Sequence, residues 1–290
     1  MSPAIVSDQK VSMSQSTDQP TLQNTPISLV VSTGRTGTQF FAYMLDELAP
    51  DCLAVHEPNP DGFILATQRI REAFSDDEVI KRFNKMRAPL FGELVAGPKT
   101  LYMESNNNLV PFLSALLSNY PHARVLHVVR EPISYVASAL NNVQNSTYTL
   151  HGDTDPRKRV CADDFPNDPY YGRWQNLSQI ERLAWHWQAY NKMIKQQAES
   201  HPHYLCLSFE RLFASGDPKP MQAALEFMTG REFSLDELST VLLNKQNHRE
   251  RPGQPQQTRH LTQHEQDAIY AVIERCMDAH YLAGNLPRPV

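Results

Sequence analysis

Short runs of consecutive apolar, mostly β-branched residues alternate along this chain with longer stretches whose apolar residues recur at every third or fourth position. The first run, Ile27-Ser28-Leu29-Val30-Val31, reads as a buried strand. Behind it, Phe40, Phe41, Met44, Leu45 and Leu48 fall at helical spacing. The alternation continues with a strand over 51–56, helical pattern over 63–96, a strand over 100–103 and a helix over 109–119. Next come a strand over 124–129 and a helix opening near Pro132, proline being comfortable in a first helical turn. Residues 144–177 show no periodicity and are rich in Asn, Asp, Pro, Tyr and Gly, as functional loops of that length often are. A helix over 177–199 carries Trp185, Trp187 and Tyr190, read as packing residues. A strand over 203–209 and helices over 218–229, 235–243 and 263–282 complete the series.

Strands alternating with helices predict an α/β fold, a doubly wound, mostly parallel sheet flanked by helices on both faces. Residues 1–25, rich in Ser, Gln, Thr and Asp, read as a disordered leader, and 26–290 as a single domain with 144–177 as a substrate lid. In such sheets ligands bind outside the carboxyl ends of the strands. The polar loops Ser32–Thr38, His56–Pro60, Glu104–Asn108 and Arg130–Pro132 all begin there.

The first loop, Ser32-Thr33-Gly34-Arg35-Thr36-Gly37-Thr38-Gln39, joins a strand to a helix. A turn of this kind aims free backbone N–H groups and the positive end of a helix dipole at one point, which suits an anion. Arg35 adds a fixed charge and a planar fork matched to phosphate or sulfate. A Walker A loop would need a lysine after its last glycine, and Gly37 is followed by Thr38. At the end of the fourth strand, Arg130 and Ser138 can face one anion, and Ser134 lies one turn before Ser138 on the same face.

Composition narrows the classes. The chain has 41% apolar and 20% charged residues, and its net charge of −5 argues against a nucleic-acid coat or a basic membrane-surface protein. Its four cysteines have no C-x-x-C spacing, so neither a zinc site nor a disulfide framework is expected. No segment approaches the roughly 18 apolar residues of a membrane span, and no secretory signal is visible. The expectation is a cytoplasmic protein that binds an anionic ligand at a local basic site without a metal.

Two linked motifs, Ser32-Thr33-Gly34-Arg35-Thr36-Gly37-Thr38 and His127-Val128-Val129-Arg130-Glu131-Pro132 with Ser138 beyond it, together resemble the sulfotransferases that use 3′-phosphoadenosine-5′-phosphosulfate (PAPS). The stretch Ser208-Phe209-Glu210-Arg211-Leu212 is similar to a late strand end of that family. The resemblance spans about residues 27–285 and implies a P-loop-like sulfotransferase architecture. It implies that Gly34, Arg35, Thr36, Gly37, Thr38 and Gln39 hold the 5′-phosphosulfate, and Arg130 and Ser138 the 3′-phosphate. It implies that a late basic loop closes over the nucleotide, here with Arg251 and Gly253. Arg35 stands where many members carry lysine.

The implied reaction is sulfuryl transfer from PAPS to a hydroxyl or amine of a small-molecule or carbohydrate acceptor, leaving adenosine 3′,5′-bisphosphate. Such a displacement needs positioning, charge stabilisation and a general base near the acceptor. Glu57, in a Glu-Pro pair that several carbohydrate-type members share, is the first candidate base and His56 the second; Glu104 is a third carboxylate near the same edge, to orient substrate. Two other readings remain open on the residues: a P-loop kinase or nucleotidase, and a non-catalytic nucleotide-binding interaction module of the same fold.

Overall fold

The computed structural model describes residues 25–145, 156, 158–249 and 259–276. Its elements run β1 (Ile27–Ser32), α1 (Thr38–Leu48), β2 (Cys52–His56), α2 (Phe63–Arg71), α3 (Asp76–Ala96) and β3 (Leu101–Ser105). Then follow α4 (Leu113–Asn119), β4 (Arg124–Val129), α5 (Pro132–Asn145), α6 (Gln179–Ala198), β5 (Tyr204–Ser208) and α7 (Phe209–Phe213). The described part ends with α8 (Lys219–Thr229), α9 (Leu235–Arg249) and α10 (Gln263–Cys276).

The five strands lie in the order β2-β3-β1-β4-β5, and every neighbouring pair is parallel. The α/β reading of the sequence holds. Side chains of β1 alternate between two cores. Ile27, Leu29 and Val31 pack with residues of α3, α4 and α6, while Val30 packs with Phe40, Phe41 and Met44 of α1 and with α8. Ser28 shares the Val30 side, and its hydroxyl donates to the Met228 carbonyl at 2.5 Å, which is how a polar residue is tolerated in a strand with both faces covered.

Some predicted elements divide or shorten. The 63–96 pattern forms two helices, because Ala73 adopts a left-handed φ of 51° and Ser75 caps a new start by accepting from the Glu78 N–H at 3.3 Å. The 109–119 helix opens instead as a 3₁₀ turn, Asn107–Phe112, with Pro111 inside it. The fifth strand stops at Ser208, whose hydroxyl caps α7 through the Arg211 N–H at 3.2 Å. Trp185, Trp187 and Tyr190 are buried, as read. Tyr170 and Trp174, from the stretch read as a lid, also lie in the core against α6, while Tyr171 is exposed.

The topology fixes where a ligand can enter. From β1 the chain moves outward to β2, returns as β3, and crosses over β1 to β4, after which it proceeds to β5 on the other side. The α1 helix after β1 packs on the face of Val30 and Val128. The α5 helix after β4 packs with α6 on the opposite face. The loops after β1 and β4 therefore diverge, and the crevice of a doubly wound sheet opens between them.

Candidate functional site

The β1 loop is held by its own hydroxyls. Buried Ser32 Oγ accepts from the Gly34 N–H at 2.9 Å and from the Thr36 hydroxyl at 2.7 Å. Gly34, Arg35 and Gly37 all have positive φ, of 82°, 57° and 73°. Glycine is required at two of these positions for space as well as backbone. A Cβ on Gly34 would meet Asn107 Nδ2 at 2.7 Å, and one on Gly37 the Phe213 ring at 2.8 Å. The turn delivers the chain into α1, whose N-terminus has no side-chain cap and no acidic residue in its first turn. By contrast, α3 and α6 are each capped by a serine. The first amides of α1, at Thr38 and Gln39, thus keep the unsatisfied N–H groups and partial positive charge that favour an anion. Arg35 is exposed beside them, and its guanidinium makes no hydrogen bond or ion pair with a described residue.

At the end of β4, Arg130 Nε donates to Ser134 Oγ at 2.8 Å, and Nη1 donates across the crevice to the Arg35 carbonyl at 2.7 Å. The guanidinium lies 4.2 Å from the centroid of the Phe209 ring, a stacked arrangement that arginine favours. The Arg130 carbonyl in turn accepts from Trp187 Nε1 at 2.7 Å. Ser138 is half-buried farther along α5. The start of α5 itself is filled. The Glu131 carboxylate accepts from the Ile133 and Ser134 amides at 3.0 and 2.7 Å, leaving α1 as the uncapped helix start at this crevice. Glu210 Oε1 accepts from the Glu131 amide at 3.0 Å, tying the β5 end to the β4 end. The capping by Glu131 was signalled in the sequence by a carboxylate just before a first-turn proline. Glu210 lies in the stretch singled out by the resemblance, but its partner, the Glu131 amide, was not legible in the sequence.

At the end of β2, one carbonyl organises both candidate bases. Ser105 O accepts from His56 Nδ1 at 3.1 Å and from the Glu57 amide at 3.0 Å. Because a carbonyl only accepts, Nδ1 carries the proton of the neutral ring and Nε2 keeps its lone pair. Glu57 has φ 43°, and it lines a cavity of about 770 Å³ formed with the α2 and α3 helices. The Ser105 hydroxyl donates to the Thr38 carbonyl at 2.9 Å, so the last residue of β3 joins the start of α1 to the end of β2.

Glu104 takes a place other than the one expected. It is wholly buried, so it cannot orient a substrate by touching it. Arg87 Nε and Nη2 donate to its carboxylate at 2.7 and 2.6 Å. The Tyr102 hydroxyl and Asn106 Nδ2 complete its shell at 2.6 and 2.8 Å. The same groups reach the β2 loop: Arg87 Nη1 donates to the Pro60 carbonyl at 2.5 Å and Asn106 Nδ2 to that of Asp61 at 2.7 Å. A buried ion pair thereby positions the loop that carries Glu57.

Asn107 was missed by sequence reasoning. It is buried against Gly34, and its Oδ1 has no hydrogen-bond partner among the described residues. Arg251, Gly253 and Tyr148 lie outside the described residues. Among the described residues no group of three or more His, Cys, Asp or Glu is placed to hold a metal ion. No helix there is long and apolar enough to cross a membrane.

No family model and no curated protein matches the chain. Solved structures to which the chain is similar, at low identity, include three sulfotransferases. The sulfotransferase domain from the curacin biosynthetic pathway is 11% identical with a TM-score of 0.45, over 91% of this chain and 93% of that one. A sulfotransferase from Alicyclobacillus acidocaldarius is 15% identical with a TM-score of 0.43, over 87% and 97%. One from Mycobacterium avium is 13% identical with a TM-score of 0.48, over 91% and 77%.

Proposed function

We propose that the chain is a cytoplasmic enzyme that transfers a sulfuryl group from PAPS to a hydroxyl or amine of a small-molecule or carbohydrate acceptor, by in-line displacement. The observation that carries this reading is the 2.7 Å hydrogen bond from Arg130 to the Arg35 carbonyl. It places two arginine-bearing strand ends on either side of one crevice, as a ligand with two separate anionic groups requires. The uncapped start of α1, with exposed Arg35 beside it, fits the 5′ end of such a nucleotide. Gly34, Thr36, Gly37, Thr38 and Gln39 supply main-chain and hydroxyl donors there. Arg130 and Ser138 serve the 3′-phosphate, and Arg251 and Gly253 belong to the loop that closes on it.

PAPS, when bound, supplies an already activated sulfuryl group, so no metal or redox cofactor is called for. The chain's own work is positioning, charge stabilisation and proton removal. Arg35 places a fixed positive charge where the departing phosphate gains negative charge. Arginine is a poor proton donor, so its contribution is electrostatic. Glu57 takes the acceptor's proton as the new bond to sulfur forms; His56, with its Nε2 lone pair, is the second candidate.

The test is transfer of labelled sulfate from PAPS to a panel of alcohols, phenols, amines and sugars. Label should pass to at least one acceptor class with the wild type, and transfer should vanish in Arg35→Ala. Tight binding of adenosine 3′,5′-bisphosphate with no transfer to any class would favour a non-catalytic binding module instead.

A further inference from the structure

The cavity beside Glu57 has a composition that the proposed reaction does not by itself require. At about 770 Å³ it is large enough for a whole small molecule. Glu57 lies on its wall, with Phe63, Ile64 and Met86 as apolar lining and Lys81 and Lys85 on the α3 side. Ile64 is 59% exposed, one of the large hydrophobic side chains in that state among the described residues, with Val95 and Tyr171. An apolar body in the cavity would cover it and remove that area from water.

Three carboxylates (Glu57, Asp61, Glu78) and three cations (Lys81, Arg82, Lys85) line the cavity, and of those on α3 the two lysines lie outside an ion pair with a described residue. Glu78 is bonded to Arg82 at 2.6 Å, and Arg82 also lies over the Phe74 ring at 4.3 Å. Asp61 accepts from the Phe63 amide at 3.1 Å and so caps the start of α2. Lys81 and Lys85 are exposed, four positions apart on one face of α3. Neither forms a hydrogen bond or ion pair with another described residue; Glu78, already engaged by Arg82, lies within the field of Lys81. Lys81 and Lys85 thus put two ammonium groups on α3, while the carboxylates of Glu57 and Asp61 lie on the loop after β2, so an anion would find its cationic partners on the α3 side.

Resting on the sulfuryl-transfer reading, we propose that the acceptor is an amphipathic anion: a hydroxyl or amine presented to Glu57, an apolar body against Phe63, Ile64 and Met86, and an anionic group held by Lys81 and Lys85. A carbohydrate fits this lining less well, because it would desolvate hydroxyls against aliphatic walls. In the reaction the acceptor's oxygen or nitrogen forms the bond to sulfur, the bond from sulfur to the nucleotide's phosphate oxygen breaks, and the acceptor's proton passes to Glu57.

The probes are ω-hydroxycarboxylic acids of about six to twelve carbons, a span chosen to suit pockets of this size, each paired with its methyl ester. Binding to the full chain is read by calorimetry, without donor. The acid should bind about tenfold more tightly than its ester, two exposed ammonium contacts contributing modestly each. In Lys81→Ala/Lys85→Ala the two should bind alike. Equal binding of acid and ester by the wild type at every length, or a preference that survives the double substitution, overturns the proposal. Adenosine 3′,5′-bisphosphate is titrated into the same samples. Nucleotide binding without the acid preference sinks the acceptor class alone. The acid preference without nucleotide binding sinks the sulfuryl-transfer reading and leaves the cavity's anion site standing.

Discussion

Arg130 Nη1 donates to the main-chain carbonyl of Arg35 at 2.7 Å, so a side chain at the end of β4 holds the backbone of the loop that follows β1. The contact crosses the boundary where the sheet's winding reverses. It makes the two halves of the proposed nucleotide site mechanically dependent on each other.

Replacing Arg130 should therefore affect both halves. In Arg130→Ala, the rise in Tm caused by adenosine 3′,5′-bisphosphate should shrink, with affinity falling at least about tenfold, the scale of one lost charge-assisted hydrogen bond. Arg130→Lys should not restore it. An ammonium cannot bond Ser134 and Arg35 in parallel while stacking on Phe209. Full recovery by lysine would show that only the charge matters.

Glu57→Gln keeps the shape of the side chain and removes its basicity. Turnover should drop by roughly 10²–10⁴, the usual contribution of a general base, while nucleotide affinity stays near that of the wild type. His56→Phe serves as the comparison. If that substitution abolishes turnover and Glu57→Gln does not, the lone pair on His56 Nε2 is the base. Steady-state kinetics with whichever acceptor proves active separates the two.

The ion pair of Arg87 with Glu104 is wholly buried. Breaking it from one side, as in Glu104→Gln, should cost about 3–5 kcal/mol in urea unfolding, because the guanidinium is left buried beside a neutral partner. The double replacement Arg87→Met/Glu104→Met should cost less than either single change. The double replacement also removes the Arg87 donor that anchors the Pro60 carbonyl of the β2 loop, so in it KM for the acceptor should rise even where the protein remains folded.

Stability should also fall in mild acid. His127 is buried with Nδ1 accepting from the Tyr204 hydroxyl and Nε2 donating to Asn191 Oδ1, at 2.8 and 2.9 Å. Burial, partly offset by the Asn191 contact, pushes its pKa down from 6.5 to about 4. Burial lowers His186 as well. A histidine depressed in the folded state binds its proton more readily when unfolded. Its contribution is therefore whole above the unfolded pKa and is lost as pH falls from about 6.5 through about 4. The loss from His127 is about 3 kcal/mol at most. In His127→Gln, the drop in unfolding free energy between those two pH values should be smaller by roughly that amount.

Much of the fold was legible because parallel strands covered on both faces are written as near-continuous apolar runs, as in Leu29-Val30-Val31 and Val125-Leu126. The strand order was not legible, since it depends on which helix packs on which face. The break between α2 and α3 was hidden for a local reason. Ala73 is an ordinary helix former and shows its left-handed backbone only in the structure. At the site, the loop after β1 and Arg130 were visible as residue types at strand ends. The partners that position them were not, because Arg130 reaches a carbonyl 95 positions away and main-chain acceptors leave no mark in a sequence. Glu104 misled for the same kind of reason. As a carboxylate at a strand end it resembled a substrate contact, and only the packing of Arg87 over it reveals a structural pair.

The most direct test of the account is a calorimetric titration of the wild type with adenosine 3′,5′-bisphosphate beside adenosine 5′-monophosphate and magnesium ATP. The expected result is binding of the bisphosphate at least about tenfold tighter than the monophosphate, as the loss of one charge-assisted phosphate contact requires, with that difference abolished in Arg130→Ala. Equal affinity for the bisphosphate and the monophosphate, or preferential binding of magnesium ATP, would contradict it.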